Sequence, residues 1–389
     1  MNSNPERRHD VDWLRVLAVL LLIYFHSAVI FSTGKYYVKN EERSLAMTVF
    51  VTFVSQWHMP LFFLIAGAAT RFSLDRRTGP QYARQRFKRL FIPFIFGTLV
   101  IVPPQVYYLL RSNPQYHDSY FQFYPHFFTF DFATPGYAGT FEWGHLWFVL
   151  YLFLFSLIAL PLFLYLKRET GRRFISKLAA FCEKPGTIFL FGLPPAAIES
   201  ALRARYPGYQ NLYNDWANVL TYMTVFIYGY IFFSDARIGQ AIEKHGKSAL
   251  VLGLACTLVA FALAFTGHAP APDYSLGWIL FVILRTFSAM FWLIAILSFA
   301  MKYLNFDNKL LRYANEAAYP FYILHQTVIV AIGFYVVRWN ASVTAKYLAI
   351  TTGSLVATVA VYDLLVRRTN VTRFLFGMKP KERGGANRK

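Results

Sequence analysis

Arg15 and His26 stand eleven residues apart in a stretch that is otherwise almost wholly apolar. An imidazole can take and return a proton near neutral pH, and a guanidinium can hold a phosphate oxygen or a developing negative charge. On a helix the two differ by about 20° in azimuth and lie about 16 Å apart along the axis. Asp12, Val19 and Leu22 follow the same three- and four-residue steps, so one face carries a cation near one end and an imidazole deeper in. Ionisable groups in apolar spans are costly and turn towards a partner or a water-filled cavity, which makes each a functional candidate. The alternative is structural, with Asp12 and Arg15 as anchors at the lipid headgroups and His26 in a packed hydrogen bond.

Further candidates lie downstream. Arg86, Lys88 and Arg89 stand in the run Arg84-Gln85-Arg86-Phe87-Lys88-Arg89, with Arg86 and Arg89 on one helical face. Arginine forks bind phosphate oxygens bidentately, so this run suits a phosphorylated ligand, or anionic lipid. Residues 116–143 hold twelve aromatic rings, among them Phe130, Phe132 and Tyr137, with Asp118, His126, Asp131 and Glu142 between them. Rings offer flat faces to sugars and acids accept hydroxyl hydrogen bonds, although an interfacial aromatic belt would have the same composition. His145 and Trp147 follow in His145-Leu146-Trp147-Phe148. Arg285 and His325 fall inside later apolar stretches. The histidines lie on separate stretches with no HxxxH or Glu-x-x-His pair, so no metal is expected.

The elements that must carry these residues are membrane helices. Of the 389 residues 56% are hydrophobic and 15% charged, against about 25% charged in soluble domains. The 40 Phe, 26 Tyr and 8 Trp suit two interfacial belts, and two cysteines, Cys182 and Cys256, are too few for a disulfide framework. Stretches long enough to span lie near 11–31, 46–70, 91–110, 145–166, 186–200, 215–234, 248–267, 276–301, 314–337 and 343–366. The fifth is interrupted by Pro194-Pro195. The first holds Asp12, Arg15 and His26 and is followed by no small-residue cleavage site, so it reads as a retained helix. Alternate connecting segments hold 29 and 8 Lys and Arg, which predicts cytoplasmic N- and C-termini. The formal net charge of +19 is then mostly orientation signal, and nucleic acid is not an expected partner. The expected fold is an all-α polytopic transmembrane bundle of about ten helices, with a membrane domain over 1–370 and a basic cytoplasmic tail over 371–389.

Taken together, these pieces resemble acyltransferase family 3, the bacterial integral-membrane O-acyltransferases. Arg15 followed by His26 is similar to the family's Arg-x10-His signature. Met59-Pro60-Leu61-Phe62-Phe63-Leu64-Ile65-Ala66-Gly67 is similar to its Phe-Phe-x-Ile-Ser-Gly segment. Arg86-x-x-Arg89 with Pro93 resembles its cytoplasmic arginine pair, and Tyr322-Ile323-Leu324-His325 its late Tyr-Leu-x-His stretch. The run His26-Ser27-Ala28-Val29-Ile30-Phe31-Ser32, the turn Val38-Lys39-Asn40 and His145-Leu146-Trp147-Phe148 are nearest to the glucan-succinylating branch. Ala66 and Ala318 stand where the family often has Ser.

The resemblance implies transfer of an acyl group, acetyl or succinyl, from cytosolic acyl-CoA to a hydroxyl of an extracytoplasmic glycan, in the bacterial inner membrane. It assigns His26 as base, Arg15, Arg285 and His325 to the catalytic set, and Arg86, Arg89 and Lys88 to the coenzyme phosphates. Asp12, Glu142, His145 and Trp147 are expected around the substrate path, with membrane lipids as the remaining partners. A transporter or flippase for a glycan or lipid-linked sugar is the competing reading, since it would share the helices, the buried charges and the aromatic loop.

Overall fold

The computed structural model describes residues 8–129 and 140–381. Phe130, Asp131, Phe132 and Tyr137 of the aromatic segment, Arg7, and the tail from 382 onward lie outside the described residues. Among the described residues the regular structure is helical and no strand occurs. A bilayer leaves backbone polar groups no water to bond, and helices satisfy them internally.

Among the described residues, seven helices are long and apolar enough to cross a membrane: His9–Val29, Leu45–Asp75, Gly79–Arg111, Ala236–Phe265, Leu276–Tyr303, Lys309–Val336 and Val343–Val366. Gly144–Ile158 and Leu160–Leu166 form an eighth if the pair, bent by 49°, is one span. Pro161 explains the bend, because it sits in the first turn of the second piece and lacks an N–H for the preceding turn. The shorter apolar helices Thr187–Leu202 and Trp216–Phe232 complete the set. All ten expected stretches are therefore helical, although the third and the seventh each begin twelve residues earlier than expected, the seventh at Ala236. The third begins at Gly79, which puts Arg86, Lys88 and Arg89 on the helix itself. The fifth opens with a 3-10 turn, Thr187–Gly192, and Pro194-Pro195 fall in the first α-turn, where a missing N–H costs nothing.

Two compact units are distinguishable, each made of separate stretches of chain. One comprises Met1–Ala18, Thr52–Ala83 and Leu154–Leu311. Its core brings Leu45–Asp75 and Trp216–Phe232 to backbone contact. A Cβ on Gly67 would fall 2.0 Å from the Phe226 carbonyl oxygen, and one on Gly229 would fall 2.0 Å from that of Leu64. Small residues are what permit such an approach where lipid supplies no hydrophobic drive between helices. Phe163 and Tyr230 stack at 4.2 Å beside this contact.

The other unit comprises Val19–Val51, Arg84–Phe153 and Arg312–Lys389. Its defining irregularity is the helix Gly79–Arg111, widened by π-turns at Phe87–Phe91 and Gly97–Ile101 and carrying Pro93, Pro103 and Pro104. Prolines remove the donors that carbonyls one turn earlier would use. The freed Leu99 oxygen instead accepts from the Tyr124 hydroxyl at 3.0 Å, and the Ile101 oxygen from Thr327 Oγ1 at 2.6 Å. The broken helix thus exchanges its own hydrogen bonds for contacts with Tyr120–His126 and Lys309–Val336. At the chain's end the short helix Asn370–Leu375 is tied down by Arg373, which donates to Glu316 at 2.7 Å and to the Lys379 carbonyl at 2.7 Å.

Candidate active site

Three histidines from three helices meet in the second of these units. The His26 ring centre lies 5.2 Å from that of His325, which lies 5.1 Å from that of His145. His325 is 0% exposed and His145 6%, whereas His26 is partly exposed. His26 is the accessible member of the group.

Their hydrogen bonds assign two of the tautomers. The Nδ1 of His325 faces the Tyr322 carbonyl at 2.6 Å, and a carbonyl can only accept, so the proton sits on Nδ1 and Nε2 carries the lone pair. His145 is the reverse. Its Nε2–H donates to the Ile323 carbonyl at 2.9 Å, and Nδ1 faces the amide of Gln105 at 3.4 Å. Tyr322 donates its hydroxyl to the His145 carbonyl, clamping the ring from the other side.

Gln105 organises the polar floor. It is 0% exposed, donates to Thr327 Oγ1 at 2.7 Å and accepts from Gln326 Nε2 at 2.9 Å. Gly144 lets this floor meet His145: its φ is +49°, and a Cβ there would come within 3.1 Å of the Tyr37 hydroxyl and 3.4 Å of Gln105 Oε1. Neither Gln105 nor Gln326 emerges from the sequence as a candidate. The available signals were an amide inside an apolar run after Pro103-Pro104, and a second amide beside His325.

The turn after the first helix closes the group. Lys39 donates its ammonium to the carbonyls of Val29 and Ser32, the latter at 2.7 Å, and so caps the helix end. Asn40 N–H bonds the Ile30 carbonyl at 3.1 Å. This fold-back stacks Tyr36 on His26 at 5.8 Å and 17°. Tyr37, packed edgewise on Tyr36 at 5.5 Å, donates its hydroxyl to Glu142. Burial pushes the Glu142 carboxyl up to about 7, with the Tyr37 hydrogen bond pulling against it. Burial, aided by the charge of Arg43, pushes the Lys39 ammonium down to about 8.

The remaining expected residues take separate places. Trp147 is buried edgewise on Tyr151 at 5.1 Å. Arg86 and Arg89 are half-buried while Lys88 points out, as expected of residues i and i+3 on one face. Arg86 lies within electrostatic reach of Tyr319, whose hydroxyl is buried without a partner among the described residues. Asp12, Arg15 and Arg285 belong to the other unit. Arg15 Nη1 pairs with Asp12 at 3.2 Å. Arg285 leans on the Phe281 ring at 5.8 Å, within electrostatic reach of Glu199 and Arg203, which form a two-pronged ion pair at 2.6 Å. That unit also holds a histidine the sequence reading passed over, His58, whose Nε2–H donates to the Ala18 carbonyl at 2.9 Å.

The sequence profile of the acyltransferase domain family matches residues 8–367. The chain belongs to acyltransferase family 3. It is an acyltransferase and, by its helices, a multi-pass membrane protein. It is similar to the Glucans biosynthesis protein C of Escherichia coli O139:H28 (strain E24377A / ETEC), with 25% identity over 98% of this chain and 97% of the relative. To the protein of the same name from Escherichia coli (strain K12) it is 26% identical over 98% of this chain and 97% of that one. No solved structure matches. The family assignment gives the three-histidine group an acyl-transfer context. A neutral imidazole can accept the proton of an attacking hydroxyl and return it to a leaving thiolate.

Proposed function

We propose that this acyltransferase moves an acetyl or succinyl group from cytosolic acyl-CoA to a hydroxyl of an extracytoplasmic glycan, in the bacterial inner membrane with both termini cytoplasmic. The observation that carries the reading is the ring contact of His26 with His325 at 5.2 Å, with His26 alone of the three histidines partly exposed. The relatives' printed name, concerned with glucan biosynthesis, supports a glucan as the acceptor. The excess of Lys and Arg on alternate segments supports the orientation.

In the proposed step, the His26 imidazole removes the proton from the acceptor hydroxyl as its oxygen attacks the thioester carbon. The C–O bond forms, the C–S bond breaks, and the coenzyme thiolate takes the proton back from the imidazolium. His325, with its proton held on Nδ1 by Tyr322, positions the His26 ring. Arg86 and Arg89 take the coenzyme phosphates, and Lys88 adds charge at the surface. Glu142 hydrogen-bonds an acceptor hydroxyl, while His145 and Trp147 shape the path. Arg15, oriented by Asp12, and Arg285 are the remaining members of the catalytic set in this reading.

The test is mass spectrometry of isolated glycans from cells carrying the wild-type chain or His26→Ala, with membrane insertion checked in parallel. The reading expects a mass increment of one acyl group that disappears in the inserted variant. An undiminished increment would remove His26 from the chemistry.

A further inference from the structure

The unit comprising Met1–Ala18, Thr52–Ala83 and Leu154–Leu311 contains a cavity of about 270 Å³ that the acyl-transfer reading does not use. Arg71, Asp75, Lys167, Arg172, Ser234 and Asp235 line it, contributed by four separate helix ends and connecting turns. The volume falls just below the range of about 300–1,000 Å³ typical of whole small-molecule pockets, so it suits a head group.

The charges inside are not balanced against one another. Asp75 is taken by Arg71, one turn back on the same helix. Asp235 is taken by Arg237, which reaches it from backbone N–H at 3.0 Å and through its guanidinium at 3.1 and 2.8 Å, holding the carboxyl below its ordinary value. Both carboxylates are therefore neutralised, and Lys167 and Arg172 remain in excess. Lys167 gives one N–H to the Leu74 carbonyl, leaving two donors. Arg172 is exposed and its side chain has no partner among the described residues. The Ser234 hydroxyl, which donates to the Tyr230 carbonyl at 2.7 Å, stands at the same wall.

Two uncompensated cations, one a planar fork and one a point charge, converging on a head-group-sized space match a tetrahedral anion with several acceptor oxygens. We propose that this cavity binds a phosphate ester through Lys167 and Arg172. The group is borne either by a soluble nucleotide or by an anionic lipid headgroup, and the inference stands without acyl transfer.

The experiment uses the full chain in phosphatidylcholine nanodiscs, carrying Arg86→Gln and Arg89→Gln in every arm so that the proposed coenzyme site does not contribute. This background is the wild type of the comparison. Adenosine 3′,5′-bisphosphate and inorganic phosphate are titrated by thermophoresis, and retention of added phosphatidylglycerol is read by native mass spectrometry. Arg172→Gln is the informative variant, since that side chain is exposed. Loss of one charge-assisted contact is expected to weaken the bound probe about tenfold, and adding Lys167→Gln to abolish binding. Arg172→Lys should retain part of it. Weakened nucleotide and phosphate binding assigns a soluble ester, and loss of phosphatidylglycerol alone assigns the headgroup. Should the double variant fail to fold, Arg172→Gln decides alone. Equal affinity of wild type and Arg172→Gln for all three probes overturns the proposal. The readout is binding and not transfer, so this result and the transfer result are read separately.

Discussion

The imidazole of His325 donates from Nδ1 to the carbonyl of Tyr322, three residues earlier on the same helix, and that single bond leaves Nε2 as the lone-pair nitrogen of a ring centred 5.2 Å from that of His26. A ring with a locked tautomer is a better positioning partner than one free to exchange protons between its nitrogens. The arrangement makes His26 and His325 unequal, one partly accessible and one fully enclosed, and their variants should behave differently.

His26→Ala should lower the acylation rate by about 10²–10⁴-fold, the usual contribution of a general base, with little change in thermal stability. His325→Phe, which keeps a ring but removes both nitrogens, should lower kcat less and change the pH profile of kcat, since it acts on the neighbouring ring. Identical pH profiles for wild type and His325→Phe would argue against positioning through His26.

Gln105→Leu removes the centre of the polar floor and takes one hydrogen-bond partner each from Gln326 Nε2, Thr327 Oγ1 and His145 Nδ1. Buried groups left without partners cost about 1–3 kcal/mol each. The expected result is a markedly lower melting temperature in detergent and reduced yield of monodisperse protein. A melting temperature equal to wild type would mean the floor is not structurally important.

Glu142 supplies a pH signature. Its folded-state value of about 7 lies above the ordinary 4.5, so between those values the folded chain binds more protons than the unfolded one. Its contribution to stability is present below about pH 4.5 and is lost as the pH rises through about 7. Glu142→Gln mimics the protonated form. From about pH 5 to about pH 8, wild type should lose more thermal stability than Glu142→Gln. Parallel curves would be inconsistent with a buried, proton-retaining carboxyl.

Two glycines give opposite expectations. Gly67→Ala would drive a methyl into the Phe226 carbonyl, forcing the helices apart at a cost of about 1–3 kcal/mol or more. Gly239 lies in the helix Ala236–Phe265 with nothing within 4 Å of an added Cβ. Gly239→Ala should be neutral or stabilising by up to about 1 kcal/mol. Melting temperatures of the purified variants check both, and equal effects would mean that helix propensity dominates over packing.

Replacing Arg86 and Arg89 together by Gln should weaken acyl-CoA binding by about tenfold or more, the scale of lost charge-assisted contacts, whereas Lys88→Gln should do little. The half-buried pair and the outward lysine are the basis for the difference. Titration of the purified variants with a non-hydrolysable acyl-CoA thioether measures it. Unchanged affinity in the double variant would remove the pair from the donor site.

The amino-acid sequence by itself determined the helices, because a bilayer permits few solutions to backbone hydrogen bonding and long apolar runs announce one of them. It also picked out His26, His145 and His325, since an imidazole inside such a run is costly enough to stand out. What it could not supply was their meeting, which depends on helices distant in the chain and on irregularities that carry no periodic signature. The π-turns and prolines of Gly79–Arg111 free carbonyls that Tyr124, on a separate helix, and Thr327, far along the chain, come to satisfy. Gln105 acquires its importance the same way, through partners more than two hundred residues away. The cavity at Lys167 and Arg172 is the clearest case. In sequence these are two of many basic residues in a connecting segment, and only the folded unit, by committing Arg71 and Arg237 to nearby carboxylates, decides which cations are left over.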